Sequence, residues 1–194
     1  TPNFNIFYFF EYTFKKGRFA MKNNLKLWQF GGFVFTSVLG TLLHFAYEWS
    51  GNLPLLAPFT AVNESIFEHI KLLYFPALIF SVAQWFLGGK EFNNFWCAKL
   101  IGAIVGIIII PTLYYTYTGA LGEFADWFNI AIFFIAAGGT YLTEYFILKG
   151  NKSRFNEGVC LALLLVIGCV FITLTYLPPH IPFFADPVTG KYGI

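Results

Sequence analysis

Charge is what this chain has least of. Asp, Glu, Lys and Arg together make up 11% of its 194 residues, where a soluble domain carries about 25%. That leaves too little polar surface to coat a globule, so a protein surrounded by water is excluded. Cysteine is also scarce. Cys97, Cys160 and Cys169 are scattered and form no CxxC pair; neither a disulfide framework nor a cysteine metal site is expected, and all three read as small residues in helix packing. No basic run interleaved with aromatics is present, which sets nucleic acid aside as a partner. HExxH, a Ser-His-Asp signature and a phosphate-binding loop are missing too, so no motif names an enzyme class.

Apolar length is what the chain does have: 57% of the residues are hydrophobic and 22% aromatic. Runs of about 20 apolar residues are long enough to cross the hydrocarbon core of a bilayer as helices. Five such runs occur, at 27–49, 63–89, 95–117, 126–148 and 158–177. The expected fold class is therefore all-α, an integral membrane bundle of about five transmembrane helices, multi-pass in a bacterial plasma membrane with the lipid bilayer as its first partner. Residues 50–62 are uncharged and too short to span, which predicts an interfacial or re-entrant connection.

The chain has a single methionine, Met21, followed by Lys22, Asn23, Asn24 and Lys26. That pattern reads as a bacterial start, with Lys16-Gly17-Arg18 encodable by a purine-rich run resembling a ribosome-binding site. Thr1 to Ala20 is then expected to be leader. The alternative is an amphipathic interfacial segment carrying Phe4, Ile6, Phe7, Phe9 and Phe10. No small-residue cleavage site marks a signal peptide. The domain reading is a doubtful leader or N-terminal extension at 1–20, a five-helix domain at 21–177, and an extracytoplasmic tail at 178–194 that packs on the outer face and looks complete.

Lys and Arg concentrate in cytoplasmic loops of membrane proteins. Lys15, Lys16, Arg18, Lys22 and Lys26 precede the first run; Lys90 and Lys99 flank the turn between the second and third; Lys149, Lys152 and Arg154 fill the one between the fourth and fifth. The alternate connections contain none, and only Lys71 and Lys191 fall on the other side. The N-terminus is therefore expected in the cytoplasm and the C-terminal tail outside. Gly102-x-x-x-Gly106 gives the third run a face that another helix can approach closely. Pro76, Pro111 and Gly138-Gly139 can kink or loosen theirs.

All three histidines fall on the expected outer side. The first run ends Thr41-Leu-Leu-His44-Phe-Ala-Tyr-Glu48-Trp49, in which His44 and Glu48 share a helical face. The second opens Asn63-Glu64-Ser65-Ile66-Phe67-Glu68-His69-Ile70-Lys71. Here Glu64, Glu68 and Lys71 form one stripe, with Ser65 and His69 on a neighbouring face. The tail adds His180 and Asp186. Ionisable groups in or beside membrane spans are costly unless they face a bundle interior, water or a partner. Imidazole with carboxylate also suits zinc or another divalent metal. The main site residues are thus His44, Glu48, Glu64, Glu68, His69 and His180; Asn63, Ser65, Lys71, Asp186 and Glu144 are secondary. A purely structural reading competes with this one. Ser65-x-x-Glu68 is a capping-box pattern, Asn63 and Glu64 suit a helix N-terminus, and Glu68 and Lys71 can neutralise each other. Glu144, near the cytoplasmic end of the fourth run, is either half of a transport path or the partner of a nearby Lys.

His44-x-x-x-Glu48-Trp49-Ser50-Gly51, the stretch Asn63 to Lys71, and Pro182-Phe183-Phe184-Ala185-Asp186-Pro187 with Tyr192-Gly193-Ile194 carry a resemblance. On these motifs the chain from Trp28 to Ile194 resembles an uncharacterised family of small multi-pass membrane proteins from low-GC Gram-positive bacteria. The resemblance implies an inner-membrane protein and supplies no catalytic assignments. Three functions stay open: an outward-facing polar or metal site, a non-catalytic scaffold or accessory subunit with a homo-oligomeric or other membrane partner, and a small proton-coupled transporter.

Overall fold

The computed structural model describes residues 21–122, 126–152 and 155–194, and the proposed leader at 1–20 lies outside them. Five long α-helices follow one another: α1 Leu25–Trp49, α2 Ile66–Leu87, α3 Phe95–Leu121, α4 Asp126–Gly150 and α5 Glu157–Tyr176. No strand is present among the described residues; the one β-bridge pairs Ala185 with Tyr192 in the tail. Each helix is long and apolar enough to cross a membrane, the shortest having 20 residues, or about 30 Å at 1.5 Å per residue.

Local chemistry decides where the helices stop. Gly122 takes a left-handed conformation (φ 70°) and its N–H closes α3 on the Thr118 carbonyl. The Asn156 side chain caps α5 by accepting from the N–H groups of Gly158 and Val159. Pro76 and Pro111 lie inside α2 and α3 without ending either helix.

α2 is the axis of the bundle. Residues on all its faces are buried, from Phe67 and Ile70 through Leu72, Leu73, Tyr74 and Phe75 to Ala77. α1 and α5 are peripheral and expose Leu27, Phe30, Val38, Leu163, Leu165 and Val166. An apolar exterior of that extent suits lipid rather than water. The small face of α3 packs on α4: a Cβ at Gly102 would lie 2.6 Å from Glu144 Cγ, and one at Gly106 would collide with Thr140 and Leu73.

The two ends of the bundle are built differently. At the lysine end, Lys99, expected to flank the turn before α3, lies one turn into that helix and is fully buried. Its ammonium group pairs with Glu144 of α4 and donates to Gln84 of α2, between the rings of Phe95 and Tyr141. Tyr141 in turn bonds Thr36 of α1 at 2.7 Å. One polar cluster thus clamps four helices. The Glu157 carboxylate accepts from Trp96 N at 2.6 Å, capping α3 from the start of α5. The same contact brings Cys97 against Cys160, and the two form a disulfide. This corrects the expectation of unpaired cysteines: 63 residues of sequence separate them, but two helix starts meet in space. Cys169 is free and exposed.

Candidate metal site

At the histidine end, α1 runs into a left-handed turn at Gly51 and Asn52 (φ 71° and 62°). The chain then crosses through a short 3-10 turn, Ala57–Phe59, before α2 begins. A second buried ion pair anchors this connection. Lys71 Nζ lies 2.7 Å from Glu68 Oε2 and donates to the Ala57 carbonyl and to Thr175 Oγ1 of α5, each at 2.9 Å. Glu68 also accepts from Val62 N at 3.0 Å. Glu68 and Lys71 therefore neutralise each other, and together they hold residues 57–62 against α2 and α5.

The capping box is only half formed. Ser65 Oγ accepts from Glu68 N at 3.4 Å, but the Glu68 carboxylate is spent on Lys71 and Val62 and does not return to Ser65. The Ser65 N–H goes instead to Asn63 Oδ1 at 2.9 Å. Glu64 stands before the first turn of α2, so it leaves the expected stripe with Glu68 and Lys71 and swings toward the histidines. A stripe drawn by helical periodicity holds only where the backbone is already helical.

His44 Nε2 lies 3.3 Å from Glu64 Oε2, and His69 Nε2 lies 3.7 Å from the same oxygen. The imidazoles are 5.5 Å apart between centroids. One donor atom from each of the three residues falls within 4.8 Å of the others. His69 Nδ1 lies 2.9 Å from the Ser65 carbonyl oxygen. A carbonyl only accepts, so that nitrogen carries the proton. The Nε2 of a neutral His69 then presents a lone pair to a carboxylate oxygen that also has only lone pairs to offer. A proton or a metal ion between them resolves the opposition. A backbone carbonyl that fixes the ring from behind is also the usual second contact of a metal-bound histidine.

Solvent access is graded across the trio. The His69 side chain is 19% exposed, His44 27% and Glu64 49%. The hydrogen bond to His44 holds the Glu64 carboxyl below the ordinary carboxylate range, against the opposing effect of its partial burial. A hollow of about 370 Å³ adjoins His44 and Glu64 and is also lined by Glu48, Asn52 and Asn63. A separate crevice of about 20 Å³ is lined by Glu64, His69, Tyr114 and Asn129 together with the apolar Ile110, Ile132 and Phe133.

Of the remaining residues singled out in the sequence, Asp186 and Asn63 border the trio without joining it, and His180 and Glu144 lie elsewhere. His180 packs on the Tyr192 ring, 4.7 Å between centroids. Asp186 closes its own turn by accepting from Val188 and Thr189 N–H at 2.7 and 3.1 Å. Burial opposes its ionisation, but these backbone donors hold its carboxyl below the usual range. Asn63 donates to the Gly193 carbonyl at 3.3 Å and so ties the tail to the segment bearing Glu64. Phe184 anchors the tail on Phe67, 4.6 Å between centroids. Glu144 belongs to the clamp at the lysine end. Asn129 and Tyr114 were not anticipated; a neutral amide and a phenol in apolar helices give no sequence signal above background.

A bundle of five helices, each long and apolar enough to cross a membrane, with a His-Glu-His cluster at one end is the class of protein these features define. The model of the DUF6512 family, a family of unknown function, matches residues 17–194, and the chain belongs to that family. No curated protein and no solved structure matches it.

Proposed function

We propose that this is a multi-pass bacterial plasma-membrane protein whose histidine end faces the exterior and whose His44, Glu64 and His69 bind one divalent metal ion, zinc by donor chemistry. The single observation that carries this reading is the pair of opposed lone pairs on His69 Nε2 and Glu64 Oε2, 3.7 Å apart, with Nδ1 already committed to the Ser65 carbonyl. Two imidazoles and one carboxylate form a familiar zinc ligand set. The lopsided distribution of Lys and Arg supports the orientation. On that orientation Cys97 and Cys160 face the cytoplasm, so the pair is expected as thiols in the growing cell and closes into the disulfide of the structure on oxidation. A transport path is less favoured, because the crevice beside the trio measures only about 20 Å³ and apolar Ile110, Ile132 and Phe133 are among its lining residues.

Metal analysis of the protein purified without added chelator tests the reading. About one zinc per chain is expected, falling to background in His69→Ala and Glu64→Gln, together with zinc-dependent thermal stabilisation of the wild type alone. Absence of both bound metal and stabilisation in the wild type overturns it and leaves a hydrogen-bonded scaffold.

A further inference from the structure

The trio supplies three ligand atoms, and among the described residues no fourth His, Cys, Asp or Glu joins it. Structural zinc sites are closed by four protein ligands, whereas sites with three keep a position for water or substrate. The two cavities adjoining the trio show where such positions point. The crevice of about 20 Å³ has room for about one water, and a buried water needs two to four polar partners. Glu64, His69, Asn129 and Tyr114 line it. The hollow is far larger, about 370 Å³, and has room for a ligand.

The walls of the hollow select by charge. Glu48 and Glu64 line it with the amides of Asn52 and Asn63, and no Lys or Arg is among its lining residues. A divalent ion contributes two positive charges, which the acidic side chains of Glu48 and Glu64, with Asp186 beside Glu64, offset. An anion arriving at the metal therefore meets no surplus positive charge and must approach Glu48.

We infer that the metal held by His44, Glu64 and His69 keeps an exchangeable coordination position facing this hollow, taken by an uncharged oxygen or nitrogen donor of a polar ligand in preference to an anion. The inference rests on the metal reading above and adds to it the class of ligand. Glu48, four residues after His44, acts as the selectivity residue by repelling anions and not by holding the metal.

Cobalt substitution makes this measurable, because the visible absorption of cobalt(II) reports its coordination number. The full chain in phosphatidylcholine nanodiscs at pH 8 and low ionic strength is loaded with cobalt, then titrated with imidazole as the neutral donor and with azide as the anion. Imidazole is expected to shift the band at a concentration at least about tenfold below that of azide, the scale of one nearby charge at a hydrated surface. Glu48→Gln should strengthen azide binding and bring the ratio toward one. Should that variant fold poorly, raising the salt on the wild type provides the same check, since screening should narrow the ratio. Azide binding as tightly as imidazole overturns the charge selection, and a band that responds to neither overturns the open position. Failure to take up cobalt at all, by contrast, is the failure of the metal reading itself. Repeating the titration in phosphatidylethanolamine nanodiscs identifies the source of the donor. A band already shifted before imidazole is added supports a lipid amine, and an unshifted band that imidazole still moves supports a soluble ligand.

Discussion

The Lys99–Glu144–Gln84 cluster and the His44–Glu64–His69 trio both place ionisable groups at helix ends of one apolar bundle, and they solve the problem in opposite ways. In the lysine cluster the two charges pair with each other, two aromatic rings cover the ammonium group, and both ionic side chains are almost fully buried. Completely paired charge in a dry interior is architecture: it fixes which helices meet and leaves no valence for a ligand. At the histidine end one carboxylate oxygen faces two imidazole nitrogens, Glu64 is half exposed, and two cavities adjoin the trio. A set of donors short of protons, with solvent at hand, is poised for a ligand.

The comparison can be broken by charge removal. Glu144→Gln strands Lys99 in the interior and should cost about 3–5 kcal/mol, read as a large fall in thermal midpoint in detergent or nanodiscs. Lys99→Met with Glu144→Leu should recover most of that loss, because neither charge is then left alone. A double variant as unstable as the single one would mean that the cluster does more than clamp helices. Lys71→Met should act in the same direction by stranding Glu68, and it should also weaken metal binding by loosening residues 57–62 ahead of Glu64.

A redox measurement sharpens the orientation of the two ends. Cys97 and Cys160 are within bonding distance, so their oxidation state in intact cells reports the compartment at the lysine end. Acid trapping and maleimide labelling of the unfolded protein should find both as thiols. A bond persisting in cells would place the lysine end on the oxidising side and reverse the proposed topology.

The smallest effect concerns pH. In the metal-free protein, Glu64 has a folded carboxyl pKa below its unfolded value because of His44. Its contribution to stability is therefore fully present above the ordinary carboxylate range and is lost as pH falls through the depressed value. Chemical denaturation of the metal-free protein from neutral to acid pH should show a shallow loss that Glu64→Gln lacks. Because Glu64 is half exposed, solvent screening keeps the effect small.

Much of the architecture was legible in the residues alone. Five helices and their order follow from apolar length, and Gly102 and Gly106 marked a face of α3 open to close approach, though not that α4 would be the helix to take it. Two features were missed for the same reason. The burial of Lys99 against Glu144 and the pairing of Cys97 with Cys160, which was read as simple packing, each depend on a partner 45 to 63 residues away in the sequence. The site was legible as a neighbourhood and not as a constellation. His44, Glu64 and His69 were among the candidates, but so were Glu68, which belongs to Lys71, and His180, which belongs to Tyr192.

By itself the sequence determined that this chain builds apolar helices and gathers its histidines toward one end, because hydrophobic length and loop charge act locally and need no knowledge of the packed state. Only the tertiary structure decided which carboxylate meets which cation. Hydrogen bonds and ion pairs are settled over a few ångströms, and neighbours at that range are chosen by where α2 begins, how the connection before it is pinned, and which helix ends converge.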